Sequence, residues 1–267
     1  MISRNGLLVV SFGTTSPESR LLNIDSVERA IGDALSDDWS VHRCFSSQFI
    51  INAIHKREGI RIDNIEEALQ KAEKSGIGNL AVQPTFLMKG REYEKLKKIL
   101  SDHTHCFERI ALGEPLLSSE EDLHNVADAV VRAASEFDDG ETALVFMGHG
   151  TDAAANEIYT KMQEYFAVSE KKNCFIGTVE AKPSLDDVLD AVGEGSYRRV
   201  VLRPLMLVAG NHAVYDMSSP DDPDSWYSRF TAAGYDTECI IEGLGELPAV
   251  RGIYAGHAIA AAYSDYL

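Results

Sequence analysis

The stretches LLVVSFGTT (Leu7–Thr15) and ALVFMGHGT (Ala143–Thr151) decide the fold, because both are apolar runs that end in a glycine turn. A second pair repeats further along as NLAVQPTFLMKGREYEKL (Asn79–Leu96) and RVVLRPLMLVAGNHAVYDM (Arg199–Met217). The chain has 267 residues, enough for two lobes of about 130 residues each. We therefore expect a duplicated lobe, with the first copy at residues 1–138 and the second at residues 139–267.

Short apolar runs alternate with amphipathic stretches through both halves of the chain. The runs lack strict alternation of apolar and polar residues, which is typical of strands covered on both faces. A strand–helix order repeated in this way predicts the α/β class, with a doubly wound parallel sheet in each lobe. The predicted strands are Leu7–Phe12, Ser40–Phe45, Asn79–Met88, Ile110–Leu112, Ala143–Gly148, Cys174–Thr178, Arg199–Leu207 and Glu238–Ile241.

Three residue pairs have the spacing of a capping box and predict where helices begin. They are Asn64 with Glu67, Ser118 with Glu121, and Ser184 with Asp187. Helical periodicity covers Glu120–Phe137 and Pro248–Tyr266.

Two histidines stand out because each follows an apolar run in only one copy of the repeat. His149 falls where the first half has Phe12, and His212 falls where it has Glu92. Ligands of open parallel sheets bind beyond the carboxyl ends of the strands, so we expect both histidines at a cleft between the lobes. Neutral imidazole is a common ligand for Co, Ni, Fe and Zn. A turn residue or a helix-start residue without a chemical task is the alternative for each.

Carboxylates and basic groups near the predicted cleft could complete such a site. Glu180 ends the strand between the two histidine strands and could act as a third ligand or receive a proton. Glu92 would approach from the first lobe, although a glutamate also stabilises a helix N-terminus. Arg20 and Arg91 are candidates for binding carboxylates of a ligand, with surface solvation as the alternative. Phe12 could line an apolar wall or pack in the core.

Composition excludes several classes of function. The formal net charge of −17 argues against nucleic acid or an anionic membrane as a partner. No apolar stretch is long enough to span a membrane, and no secretory signal is visible. The four scattered cysteines predict buried thiols in a reducing cytoplasm; they are Cys44, Cys106, Cys174 and Cys239. No phosphate-binding glycine motif is present, so no nucleotide cofactor is expected.

Across its whole length the chain resembles the anaerobic cobaltochelatases, ATP-independent class II chelatases of the ferrochelatase-like superfamily. The segments that carry the resemblance are LLVVSFGTT, FSSQFIINAIHKREGIRIDNIEEALQKA, VFMGHGT, GTVEAKPS, LRPLMLVAGNHAVYDM, DSWYSRFTAAGY and GLGELPAVRGIYAGH.

This resemblance implies two flavodoxin-like lobes and insertion of Co²⁺ into sirohydrochlorin, an anionic tetrapyrrole, in cobalamin biosynthesis. It implies that His149 and His212 bind the metal and act in catalysis, with Glu180 as third ligand and Glu92 nearby. The segment before Glu92 is more basic than is usual in the family, since Lys89 and Arg91 flank Gly90. Substrate carboxylates could therefore be bound differently here.

Three other functions stay open at this point. The same chemistry with Fe²⁺ would feed sirohaem, and Ni²⁺ is a further candidate because ligand type does not separate these metals. A non-catalytic two-lobed carrier of metal or tetrapyrrole would need no proton acceptor, which disfavours it. A metal-dependent hydrolase would usually show an HExxH motif, and none occurs. A homo-oligomer is compatible with the sequence.

Overall fold

A computed structural model describes residues 4–264, and within that range the chain forms eight strands and ten α-helices. The strands are β1 (Arg4–Ser11), β2 (Trp39–Phe45), β3 (Ile77–Pro84), β4 (Arg109–Leu112), β5 (Thr142–Gly148), β6 (Cys174–Thr178), β7 (Arg199–Pro204) and β8 (Asp236–Cys239). The α-helices are α1 (Pro17–Ser19), α2 (Asp25–Ala34), α3 (Gln48–Glu58), α4 (Ile65–Lys74), α5 (Arg91–Asp102), α6 (Glu120–Ala133), α7 (Glu157–Val168), α8 (Leu185–Gly193), α9 (Trp226–Ala232) and α10 (Pro248–Tyr263). Arg20–Ile24 and His212–Met217 are π-helical.

The described strands form two parallel sheets of four strands with the same order. The first sheet runs β2-β1-β3-β4 and the second β6-β5-β7-β8. Every predicted apolar run is a strand, so the α/β class with two duplicated lobes is confirmed. Glu180 follows β6, whereas His149 follows β5 and His212 follows β7. The sequence predicted that the Glu180 strand lies between the two histidine strands, but in the sheet β5 lies between β6 and β7.

The central strands are apolar on both faces because helices cover both. All seven residues of β5 are buried. One face of the second sheet packs Val145 and Leu202 against Trp226 and Phe230 of α9. In the first sheet Val82 packs with Leu69 of α4 and Leu96 of α5.

Two predicted strands end earlier than the apolar pattern suggests. β3 ends at Pro84 rather than Met88, and β7 ends at Pro204 rather than Leu207. The residues that follow β3 and β7 no longer pair with a neighbouring strand. Their carbonyl groups accept hydrogen bonds from the segments that follow β4 and β8. Leu116 donates to Phe86 and Leu244 donates to Met206, each at 2.9 Å.

The helix starts follow the predicted caps with one shift of register. Asn64 with Glu67 and Ser184 with Asp187 form complete capping boxes. The box predicted at Ser118 and Glu121 is instead formed by Ser119 and Asp122. That helix, α6, ends at Ala133, and a short 3₁₀ turn follows, so the prediction to Phe137 was too long.

The two compact units differ from the predicted division at residues 138 and 139. One unit comprises Met1–Ser118 with Val250–Leu267, and the other comprises Ser119–Ala249. Helix α6 belongs to the second unit, where Asp128 accepts from Lys171 at 2.7 Å. Helix α10 belongs to the first, where the Tyr254 hydroxyl donates to the Thr85 carbonyl at 3.0 Å. Each unit thus takes one helix from the part of the sequence assigned to the other.

Matching backbone hydrogen bonds confirm the register of the duplication. Ser46 and Ser47 donate to the carbonyls of Ser11 and Phe12, as Val179 and Glu180 donate to those of Gly148 and His149. The bonds from Glu94 to Gly90 and from Val214 to Gly210 match in the same way. Phe12 therefore corresponds to His149, Ser47 to Glu180, and Glu92 to His212.

Two smaller expectations concern membranes and thiols. Among the described residues, no helix is both long and apolar enough to cross a membrane. The four cysteines are free thiols; Cys44 and Cys174 are buried as predicted, whereas Cys106 and Cys239 are only partly buried. Burial raises the pKa of the Cys174 thiol to about 12, so it stays protonated.

Candidate metal centre

His149 lies on a tight loop directly after β5, and two glycines shape that loop. Gly150 has a φ of 84°, a left-handed conformation that favours glycine. A Cβ on Gly148 would lie 2.3 Å from the Tyr159 ring, so only glycine fits there. The buried Tyr159 hydroxyl in turn accepts from the Gly150 N–H at 3.4 Å. The imidazole is therefore presented from a backbone with little freedom to move.

Glu180 lies on the loop after β6, which is tied to the His149 loop along the backbone. The N–H of Glu180 donates to the His149 carbonyl at 2.9 Å. The Asn156 side chain joins the same loops from the other side. Its Oδ1 accepts from the Thr151 N–H at 3.0 Å, and its Nδ2 donates to the Lys182 carbonyl at 2.7 Å. These two ligand candidates thus belong to one hydrogen-bonded unit.

His212 begins the π-helical segment that follows the β7 loop, as the predicted helix start required. The loop is held by Leu205, whose N–H donates to the Met147 carbonyl of β5 at 2.7 Å. His212 Nδ1 lies 2.8 Å from Oδ2 of Asp216, one turn further along. Its ring is partly buried, whereas the His149 ring is nearly half exposed.

The three predicted ligands come together at one end of the second sheet. Their donor atoms all lie within 4.8 Å of one another. The centroids of the His149 and His212 rings are 4.7 Å apart, and the rings are nearly perpendicular. Glu180 Oε2 lies 3.6 Å from His149 Nδ1. Within residues 4–264, this is the one group of three or more metal-capable side chains at such distances.

Two imidazoles and one carboxylate can hold a divalent metal without holding it as tightly as thiolates do. His149 Nδ1 lies 2.9 Å from the Gly150 carbonyl, which can only accept, so Nδ1 carries the hydrogen. The lone pair of the neutral ring is then on Nε2, available for a metal or a proton. An imidazole or carboxylate beside the metal is also the kind of group that accepts protons.

The remaining predicted site residues belong to the first unit. Arg20 is 8% exposed, and its guanidinium pairs with Glu58 on α3. This placement argues against direct contact with a ligand and assigns Arg20 to joining the π-helical segment to α3. Arg91 and Glu92 begin α5, and the Phe12 side chain is 50% exposed at the end of β1.

Sequence reasoning missed three side chains that support the histidines. They are Asn156, Tyr159 and Asp216. Asp216 was the one with a visible signal, because a carboxylate four residues after a histidine lies on the same helical face. Asn156 and Tyr159 carry no such signal, since their partners come from other loops.

Comparison with known proteins places this geometry in a family context. Residues 5–263 match the family described as cobalt chelatase (CbiK). A sirohydrochlorin cobaltochelatase of Salmonella typhimurium is 37% identical over 254 residues, which cover 95% of each chain. The sirohydrochlorin cobaltochelatase CbiKC of Nitratidesulfovibrio vulgaris is 28% identical over 264 residues, covering 97% of this chain and 91% of the relative.

A solved structure with the same fold is SirB from Bacillus subtilis with Fe³⁺. It superposes with a TM-score of 0.66 over 97% of this chain and 96% of that one, at 14% sequence identity. At this identity the likeness concerns the fold alone.

Proposed function

The chain belongs to the cobalt chelatase (CbiK) family, and we propose that it inserts Co²⁺ into sirohydrochlorin from a metal site formed by His149, Glu180 and His212. Both relatives described above carry this activity in their names, and one of them aligns over nearly the full length of both chains. The chain is thus a chelatase enzyme whose substrates are a divalent metal and a tetrapyrrole. The roles of His149, Glu180 and His212 are part of our proposal.

The observation that carries the assignment of roles is the proximity of three N and O donors on neighbouring loops. Co²⁺ is a substrate that must be bound and then released to the macrocycle. A set of imidazole and carboxylate ligands suits that task, because thiolates would retain the ion more strongly. We assign His149, His212 and Glu180 both as metal ligands and as the catalytic group.

The chemistry of insertion needs proton acceptors as well as ligands. Two pyrrole N–H groups of sirohydrochlorin lose their protons as Co²⁺ takes their place, so each turnover releases two protons. An imidazole or carboxylate at the metal site can accept them once its bond to the metal weakens. The Nδ1–H···O=C bond of His149 keeps that ring oriented with Nε2 as the basic nitrogen.

We assign substrate recognition to Arg91 and Phe12. Arg91 is exposed on the first turn of α5, where a guanidinium can bind a carboxylate of the tetrapyrrole. The half-exposed Phe12 offers an apolar surface for the macrocycle, and Glu92, beside Arg91 on α5, is an acidic group outside the proposed set of metal ligands. Because the net charge is −17, such local basic groups are needed to attract an anionic substrate.

The finer features of the activity are also proposals. We expect Co²⁺ as the physiological metal, with Fe²⁺ and Ni²⁺ as competitors, and we expect insertion without a nucleotide. We place the enzyme in the cytoplasm, without nucleic acid or membrane as a partner. Self-association into a homo-oligomer is compatible with these expectations.

A direct assay tests the proposal. Purified protein is mixed with sirohydrochlorin and Co²⁺ without ATP, and the absorption spectrum is followed against a reaction without protein. We expect protein-dependent formation of cobalt-sirohydrochlorin, and parallel reactions with Fe²⁺ and Ni²⁺ rank the metals. Glu180→Gln keeps the size of the side chain but removes its charge, and should slow insertion. Rates equal to the protein-free reaction, or an unchanged rate in Glu180→Gln, would contradict the activity or the ligand assignment respectively.

A further inference from the structure

The two histidines of the metal site differ in what holds their Nδ1 atoms. His149 Nδ1 donates to a neutral acceptor, the Gly150 carbonyl, at 2.9 Å. His212 Nδ1 faces a carboxylate instead, with Oδ2 of Asp216 at 2.8 Å. The first contact comes from the adjacent residue, whereas the second needs a particular side chain one helical turn away. Only the His212 contact can therefore be removed by a side-chain substitution.

We propose that Asp216 is a positioning residue that acts through His212, fixing the imidazole with hydrogen on Nδ1 and the lone pair on Nε2. An ionised carboxylate can only accept, so the ring nitrogen that faces it must be the donor. Metal-binding histidines commonly pair their second nitrogen with a carboxylate, which orients the ring and increases its basicity. This inference rests on the proposed metal site and names a residue outside the ligand set.

The π-helical form of His212–Met217 supports this role. Segments of this kind often occur at functional sites, where the widened turn changes which side chains meet. The segment is anchored by buried Ala213 and Met217, while Val214 and Tyr215 are exposed. His212 and Asp216 lie between these extremes and contact each other across the turn. Because Ala213 and Met217 are buried, the π-helical segment is a fixed support for the His212 imidazole.

The first lobe has no carboxylate at the position that corresponds to Asp216. Glu92 corresponds to His212, and four residues later the first lobe has Leu96, which is fully buried in its core. The carboxylate thus accompanies the histidine and is absent from the equivalent helix.

The first test examines the metal-free protein, so that its result does not depend on activity. The ¹⁵N chemical shifts of the His212 ring report which ring nitrogen carries hydrogen. We expect the Nδ1–H form in the parent protein and a shift toward the Nε2–H form in Asp216→Ala. Asp216→Asn retains an acceptor oxygen and should preserve the Nδ1–H form in large part. An unchanged Nδ1–H form in Asp216→Ala would overturn the proposal.

The second test measures Co²⁺ binding by calorimetry without tetrapyrrole. We expect Asp216→Ala to weaken Co²⁺ affinity about 10- to 100-fold, in the range found for such supporting carboxylates, with Asp216→Asn between it and the parent. Asp221→Asn is the matched control, because Asp221 is an exposed aspartate a few residues further along and should bind Co²⁺ normally. Circular dichroism checks that each variant is folded.

The outcomes separate this inference from the proposed function. If His149→Ala, His212→Ala and Asp216→Ala all bind Co²⁺ as the parent does, the metal site itself is wrong. If the histidine variants lose binding and Asp216→Ala does not, the metal site stands and the role of Asp216 is refuted. Equal weakening in Asp216→Ala and Asp221→Asn would refute it as well, because the effect would then be one of general charge.

Discussion

The two lobes have the same strand order and matching backbone hydrogen bonds, yet among residues 4–264 only the second groups three side chains that could hold a metal. At the three corresponding positions the first lobe has Phe12, Ser47 and Glu92. The duplicated scaffold places a side chain beyond the end of each strand in both lobes. In the proposed assignment, the side-chain type at those positions, not the fold, therefore decides where a metal can bind.

The lobes also differ in how those positions are supported. In the second lobe Asn156 and Asp216 add side-chain hydrogen bonds to the ligand loops. In the first lobe Arg20 forms an ion pair with Glu58, and Arg57 donates to the Thr15 carbonyl; both contacts bind the segment after β1 to α3. In the second lobe these polar side chains contact the candidate ligand loops, whereas in the first lobe they join the segment after β1 to α3.

Replacing a ligand by its first-lobe counterpart should have the largest effect. His149→Phe is expected to slow Co²⁺ insertion by at least about 100-fold, because it removes both a metal ligand and a proton acceptor. Both side chains are about half exposed in their own lobes, so folding should be preserved. The rate is measured by the spectral change of sirohydrochlorin.

The reverse change, Phe12→His, is the control for that exchange. It should not create a second Co²⁺ site, because Ser47 and Glu92 do not complete a set of ligands. Calorimetric stoichiometry decides this point. Near-normal turnover of His149→Phe, or a second Co²⁺ site in Phe12→His, would show that the residues at these positions do not explain the difference between the lobes.

Removing the Asn156 side chain, which joins the His149 and Glu180 loops, should slow Co²⁺ insertion less than replacing a ligand does. Asn156→Ala is expected to lower the free energy of unfolding by about 1–2 kcal/mol, since each of its two hydrogen bonds contributes roughly 1 kcal/mol. It should also weaken Co²⁺ binding, because the His149 and Glu180 loops lose their common side-chain contact. Urea unfolding and calorimetry measure the two quantities.

Asn173→Ala provides a matched comparison for Asn156. The Asn173 Nδ2 also donates two hydrogen bonds, to Asp138 and to the Thr142 carbonyl, but Asn173 precedes β6 at the opposite end of the sheet. A similar loss of stability with unchanged Co²⁺ affinity is the expected result. Equal loss of affinity in both variants would indicate a general effect of destabilisation.

The smallest effect concerns the duplicated capping boxes. Hydrogen bonds from Lys182, and then from Ser184, lower the pKa of Asp187 to about 2, below its ordinary value of 3.8. A lowered pKa means that the contribution of Asp187 to stability is present above about pH 4 and is lost as the pH falls through about 2. Asp187→Asn should therefore be less stable than the parent at neutral pH, with the difference vanishing toward pH 2.

Thermal unfolding across that pH range measures the difference for Asp187. The first-lobe counterpart, Glu67 with Asn64, has a more distant cation, since the Arg61 guanidinium lies 3.6 Å from the Glu67 carboxylate whereas Lys182 lies 2.7 Å from that of Asp187. Glu67→Gln serves as the comparison variant. A stability difference for Asp187→Asn that persists below the lowered pKa would contradict the assignment of the effect to the charged carboxylate.

The sequence by itself determined the eight strands, the register of the duplication and the three ligand candidates of the second lobe. These features depend on local patterns, since apolar runs reflect burial and a glycine turn fixes where a strand ends. His149 and His212 could be paired because the repeat aligns them at equivalent strand ends.

Only the tertiary structure decided which residues meet across the chain. In the folded chain β5 lies between β6 and β7, α10 packs in the first unit, and Arg20 is buried against Glu58. The tertiary structure also joined the ligand loops through Asn156 and set Asp216 against His212. Such contacts depend on how distant segments pack and on where polar groups find partners, and residue order alone does not specify either.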